Sequence, residues 1–174
     1  AASATIGDIK LDVQSDGQIV SAPEATTELQ LMVNLDSAEE NKSSSATSAF
    51  TALFENWDAT YDPPLEATSY AYESSIKIYD SVGDTHVLTV YFDPATPDVT
   101  DDTSGYKVWE YLITMDPNED ASTLNTKQGV LMAGTLTFSP SGQLYNMSAF
   151  QGTSDDMATW TQAALSEKGY PILT

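Results

Sequence analysis

The stretch from Ser75 to Phe92, SIKIYDSVGDTHVLTVYF, constrains this chain most. Ile76 and Ile78 alternate with Lys77 and Tyr79. Further on, Leu88, Val90 and Phe92 alternate with Val87, Thr89 and Tyr91. Period-two alternation of β-branched and aromatic residues marks half-buried strands. Asp80 to Asp84 between them is turn chemistry, with Gly83 free to take positive φ. By parity Asp80 lies on the face of Ile76 and Ile78, and His86 on that of Leu88, Val90 and Phe92. The two can meet beside the turn and close a hairpin.

The same pattern recurs along the chain. Ile9, Leu11 and Val13 predict a short strand, and 18–22 a second. Glu28 to Asp36 alternates cleanly, with Leu29, Leu31, Val33 and Leu35 on one face. Tyr106 to Met115 is apolar on both faces and is expected to be buried on both sides or to lie at a subunit contact. Val130 to Phe138 and Gln143 to Met147 are strands around a Ser139–Gly142 turn. Helical spacing appears twice. Phe50, Leu53, Phe54 and Trp57 predict a short helix capped by Ser48 that plugs the end of the β-fold. Met157, Trp160, Ala164 and Leu165 fit a helix from Asp155 to Gly169. The sum is an all-β fold: an antiparallel β-barrel or sandwich of about seven to eight strands with one or two short helices.

Charge removes whole classes of function. The 174 residues carry 26 acidic side chains against six Lys and no Arg, a net charge of −20. Nucleic-acid binding needs Lys and Arg to displace counterions from phosphate, and an anionic membrane surface repels such a chain. No nucleic-acid or membrane partner is expected. Without Cys there is no disulfide, Cys–zinc site or thiol nucleophile. No apolar run reaches the length of about 18 residues that a spanning helix needs. The chain begins at Ala1, with no visible signal peptide, and reads as a fragment or processed product.

Chemical motifs are weak. His86 is the single His; Asp80 could orient it and Ser81 is near, but no G-x-S-x-G elbow occurs. Asp116, Asn118 and Asp120 begin like an EF-hand loop, yet Ala121 stands where Gly is needed and Lys127 where Glu is needed. Asp98, Asp101 and Asp102 form a second acidic cluster, read as a solvated loop. Asn41-Lys42-Ser43 and Asn146-Met147-Ser148 are formal glycosylation sequons. Tyr70, Tyr72, Tyr106, Trp109 and Tyr111 could build a sugar-stacking platform, although packing explains them as well. No pair of carboxylates stands out for a hydrolase. The chain is expected to be no enzyme, with no cofactor and no metal.

Four segments, in order, carry a resemblance. They are Ala25–Ser37, ATTELQLMVNLDS; the Ser75–Phe92 hairpin; Lys107–Tyr111, KVWEY; and Gly134–Leu144, GTLTFSPSGQL. Together they resemble the outer β-domain of the bacterial flagellar hook protein. The residues that the resemblance marks are Thr27, Leu29, Val33 and Leu35 in the first segment. In the hairpin they are Ile78, Tyr79, Asp80, Gly83, His86, Leu88, Val90, Tyr91 and Phe92. Trp109 follows, then Leu136, Phe138 and Gly142.

The resemblance implies a domain plan: an arm with short strands over 1–24, the hook-type β-domain over 25–148 and a return connector over 149–174. It suggests an extended rather than helical connector. It implies a structural subunit of an extracellular hook at the base of the bacterial flagellum, the flexible joint between rod and filament. Partners would be copies of itself in a helical homopolymer and the rod, hook-cap and hook–filament junction proteins. The family's terminal helices do not occur in this sequence, so this chain alone is expected to be a monomer. The other readings are an adhesin or carbohydrate-binding β-domain, or another flagellar axial protein.

Overall fold

Five alternating segments pair in chain order. The computed structural model describes residues 23–43, 48–95 and 105–173. β1 (Tyr72–Tyr79), β2 (Thr85–Pro94), β3 (Lys107–Thr114), β4 (Val130–Phe138) and β5 (Leu144–Gln151) form one antiparallel meander, extended by the two-residue β6 (Thr161–Gln162). The expected all-β antiparallel class holds. Closure does not occur among the described residues, because β1 and β6 stand at opposite edges of the sheet. The expected strands near 9–13 and 18–22, and the Asp98–Asp102 cluster, lie outside the described residues.

Turn chemistry sets the register of the first hairpin. Asp80 Oδ1 accepts the N–H groups of Val82 (2.9 Å) and Asp84 (2.8 Å). Gly83 adopts φ 91°, which a side chain would resist. Ile76 then faces Leu88, and Tyr72 faces Phe92.

Both faces of the sheet are covered. On one, Leu112, Val130 and Ala133 pack with Leu53, Phe54, Trp57, Leu65 and Trp160. On the other, Val90, Phe92, Trp109, Tyr111, Met132 and Ala149 form a second core, which Leu35, Ala163 and Leu173 help to cover. β3 runs through the middle and is buried on both faces, which accounts for its apolar residues of either parity.

Three expectations are corrected. Glu28–Asp36 is not a strand. Its entry to the sheet edge is held at Thr26, whose N–H donates to Tyr79 O (2.9 Å), while its far end turns Leu35 onto the second core. A segment that crosses a face cannot also run along an edge. The first helix, α1, is only Ala52–Asn56, with Thr51 rather than Ser48 at its N-cap. Asp155–Gly169 is not a helix: a 3₁₀ turn at Met157–Thr159 leads into β6. Trp160 enters the first core and Ala163 the second. Residues three apart on a helix share one face, so only extended backbone can send these two to opposite faces.

Candidate functional site

The marked residues do not converge on a site. Leu88, Val90, Phe92 and Trp109 are buried; Leu35, Ile78, Tyr91, Leu136 and Phe138 are half-buried; Thr27, Leu29, Val33 and Tyr79 are exposed. Gly83 and Gly142 (φ 79°) occupy the two hairpin turns. The five aromatics are also dispersed. Trp109, Tyr111 and Tyr72 belong to the second core, Tyr70 packs with the first, and Tyr106 stacks edge-on with Tyr145. They form no single platform.

His86 sits between two acids. Its Nε2 is 3.7 Å from Asp80 Oδ2, and its Nδ1 is 2.8 Å from Glu119 Oε2. The hydrogen bond to Glu119 raises its pKa above the usual value; partial desolvation opposes this, and Asp80 adds to the rise. Both ring nitrogens face carboxylates, so neither is placed to deprotonate Ser81. The pair clamps the first hairpin turn to the loop after β3. Glu119 was not legible, because its approach depends on a 3₁₀ turn at Pro117–Glu119.

The EF-hand-like loop is used internally. Asp116 Oδ1 accepts from Asn118 N (2.8 Å), and Asp120 accepts from Ser122 N (2.8 Å) and Gly129 N (2.6 Å). Lys127 donates from Nζ to the carbonyls of Glu55 (3.0 Å) and Trp57 (2.5 Å) and lies 5.1 Å from the Phe54 ring centroid. It therefore caps the C-terminal end of α1, where carbonyls lack intrahelical partners. Among the described residues no group of three or more His, Cys, Asp or Glu could hold a metal.

The sequence reading missed a buried polar centre. Asp93 and Glu110 are direct partners across β2 and β3, 0% and 1% exposed. Ser43 Oγ stands between them, 2.8 Å from Asp93 Oδ2 and 2.5 Å from Glu110 Oε1. Asp93 Oδ2 also accepts the N–H groups of Lys42 (2.9 Å) and Ser43 (2.8 Å), and Glu110 Oε2 accepts that of Leu53 (3.0 Å). Burial pushes the Glu110 pKa up to about 7; Ser43 and Leu53 resist this, and Asp93 adds to it. Burial likewise raises Asp93 against the pull of the Ser43 and Lys42 amides. One signal was available: a Glu at the centre of a strand apolar on both faces. Asn41 of the first sequon turns inward here, with Nδ2 donating to Pro94 O (2.5 Å).

Exposed apolar side chains occur at the first hairpin, where Tyr79, Val82 and Val87 lie at the surface, and at two further places. One is the crossing segment, where Met32 is 89% exposed and Leu29, Leu31 and Val33 are also exposed. The other is a groove of 260 Å³ between β5 and the C-terminal segment, lined by Leu144, Tyr145, Met147, Ala163, Leu165 and Pro171, with no carboxylate among its lining residues. β6 pairs only with Phe150 and Gln151, so the rest of the outer edge of β5 has no neighbouring strand among the described residues.

Residues 56–172 match the family model of the flagellar basal body protein FlaE D2 domain. The chain belongs to this family. It is a flagellar hook β-domain, as the four ordered segments imply, and its place is in the flagellum. The matched span runs from the end of α1 through all six strands and the C-terminal segment. No curated protein and no solved structure matches the chain. The hook family is structural and self-polymerising.

Proposed function

We propose that this chain is the surface-facing β-domain of a flagellar hook subunit, outside the cell, making contacts between subunits and catalysing no reaction. The observation that carries this is the family match over 56–172. On this reading residues 1–24 lead into the domain, and 149–174 return across it while supplying the end of β5, β6 and the core residues Trp160 and Ala163. Several marked residues serve the fold: Val90, Phe92 and Trp109 in the second core, Leu88 buried in β2, and Gly83 and Gly142 in the turns. The groove beside β5 supplies one lateral contact. On a chain of net charge −20, a patch without carboxylates is where a second copy meets least repulsion. Shallow contacts of this kind gain strength from repetition along the polymer and can slide as the hook bends. Rod, hook-cap and junction proteins are the neighbours at its ends.

Immunogold electron microscopy with antibody against the purified chain tests the assignment. Label is expected on the short curved segment at the flagellar base. Label over the cell surface would favour the adhesin reading instead. The chain has no native Cys, so Tyr145→Cys introduces a unique thiol. In isolated hooks, a thiol-to-amine crosslinker is expected to join Tyr145→Cys subunits. Crosslinking no greater than from a thiol at Ser141, exposed in the adjoining turn, would remove the groove from the interface.

A further inference from the structure

The hook function makes no use of the buried Asp93–Ser43–Glu110 centre, and its geometry demands a proton. A serine hydroxyl carries one hydrogen and can donate to one acceptor. Ser43 Oγ nevertheless lies within hydrogen-bond distance of two carboxyl groups. Asp93 Oδ2, with three donors converging on it, is the anion. The contact with Glu110 Oε1 then needs a hydrogen from the glutamic acid itself. We propose that Asp93 and Glu110 share a single proton through Ser43, forming a latch that pins loop 41–43 to the sheet and loosens when that proton is lost.

The groups around the centre offer no substitute for the proton. Lys42, from the loop, is engaged by Glu39 at 3.2 Å and is partly exposed. Lys127 is committed to carbonyls at the far end of α1. Glu55 of α1 adds negative charge. Thr135, opposite Glu110 on β4, is neutral and bonded to Ser148. Among the described residues Asp93 Oδ1 is already buried with no hydrogen-bond partner. A second charge in this place is strongly disfavoured in the folded state. Lifting loop 41–43 from the sheet would hydrate both carboxylates, while the Leu53 N–H, which favours the ionised form of Glu110, stays with it.

The sign follows from Glu110 holding its proton more tightly folded than unfolded. The folded state gains full benefit below the unfolded pKa of 4.5 and loses it as pH rises through about 7. His86 titrates in an overlapping window. Its folded pKa is raised above 6.5, so its contribution is also lost with rising pH. The two must be separated by mutation.

The experiment is thermal unfolding from about pH 5 to about pH 8.5 on the wild-type chain, Glu110→Gln and His86→Gln. The amide that Glu110→Gln introduces would donate to Ser43 without titrating. Wild type and His86→Gln are expected to lose at least about 4 °C of Tm across the range, and Glu110→Gln much less. A Glu110→Gln slope equal to that of wild type overturns the proposal. If that variant does not fold, infrared spectroscopy of the wild type decides. A protonated carboxyl band is expected at about pH 6, where ordinary carboxyls are ionised, and its absence overturns the proposal. Amide exchange reads the latch itself. Protection of Lys42 and Ser43, whose N–H groups donate to Asp93, corrected for intrinsic rates, is expected to fall with pH before that of Val90 in β2. Loss in step with Val90 would leave no latch.

Discussion

Gly134 lies where β4 and β5 approach most closely. A Cβ there would fall 2.0 Å from Ser148 O and 2.9 Å from Tyr111 Oη. Tyr111 donates its hydroxyl to that same carbonyl at 2.9 Å, and burial pushes its pKa up to about 12. Gly134→Ala therefore both overpacks the sheet and displaces a buried hydrogen bond. It is expected to cost about 3 kcal/mol, read by urea unfolding. A loss below about 0.5 kcal/mol would show that the strands separate freely there. Gly152 has a related role, its missing Cβ leaving room for the Trp160 ring at 2.7 Å. That ring stacks edge-on with Phe54 at 5.0 Å and donates from Nε1 to Ser154 O.

At the scale of elements, α1 is too short to persist alone and is held at both ends from outside. Glu110 receives the Leu53 N–H at its start, and Lys127 caps the carbonyls at its end. Lys127→Met keeps the apolar stem over Phe54 but removes the donors. It is expected to destabilise the domain by about 2 kcal/mol, since two carbonyls lose their partner. Unchanged urea stability would mean that water replaces the ammonium. The hairpin β1–β2 was legible because its alternation and its Asp80–Gly83 turn are local. Glu28–Asp36 alternates as cleanly and forms no strand. Alternation states which side chains share a face; a strand also needs a neighbour with free N–H and C=O groups along its whole length.

For the whole molecule, the net charge of −20 sets the response to salt. Raising ionic strength from about 0.01 M to about 1 M shortens the Debye length from about 30 Å to about 3 Å. Repulsion among carboxylates then falls, so Tm is expected to rise, independently of the Glu110 proton. A Tm that falls with sodium chloride would indicate that local ion pairs, such as Lys168–Glu28 at 2.9 Å, outweigh the general repulsion. The same screening should strengthen side-by-side association of copies through the groove beside β5.

Strands β1 to β5, both hairpin turns, the all-β class and the hook-family resemblance were determined by the sequence alone, because alternation and turn residues act over neighbours in the chain. The Asp80–His86 approach was also legible, since parity and one turn fix it. Tertiary structure decided the rest. It sent Trp160 and Ala163 to opposite faces, which forbids the helix that the spacing of Met157, Trp160, Ala164 and Leu165 suggests. It left the sheet open, with its faces covered by segments of no regular structure. It also brought Ser43 between Asp93 and Glu110, residues 50 and 67 positions away. Charge at so short a range depends on burial and on partners far along the chain, and neither is written in any local pattern.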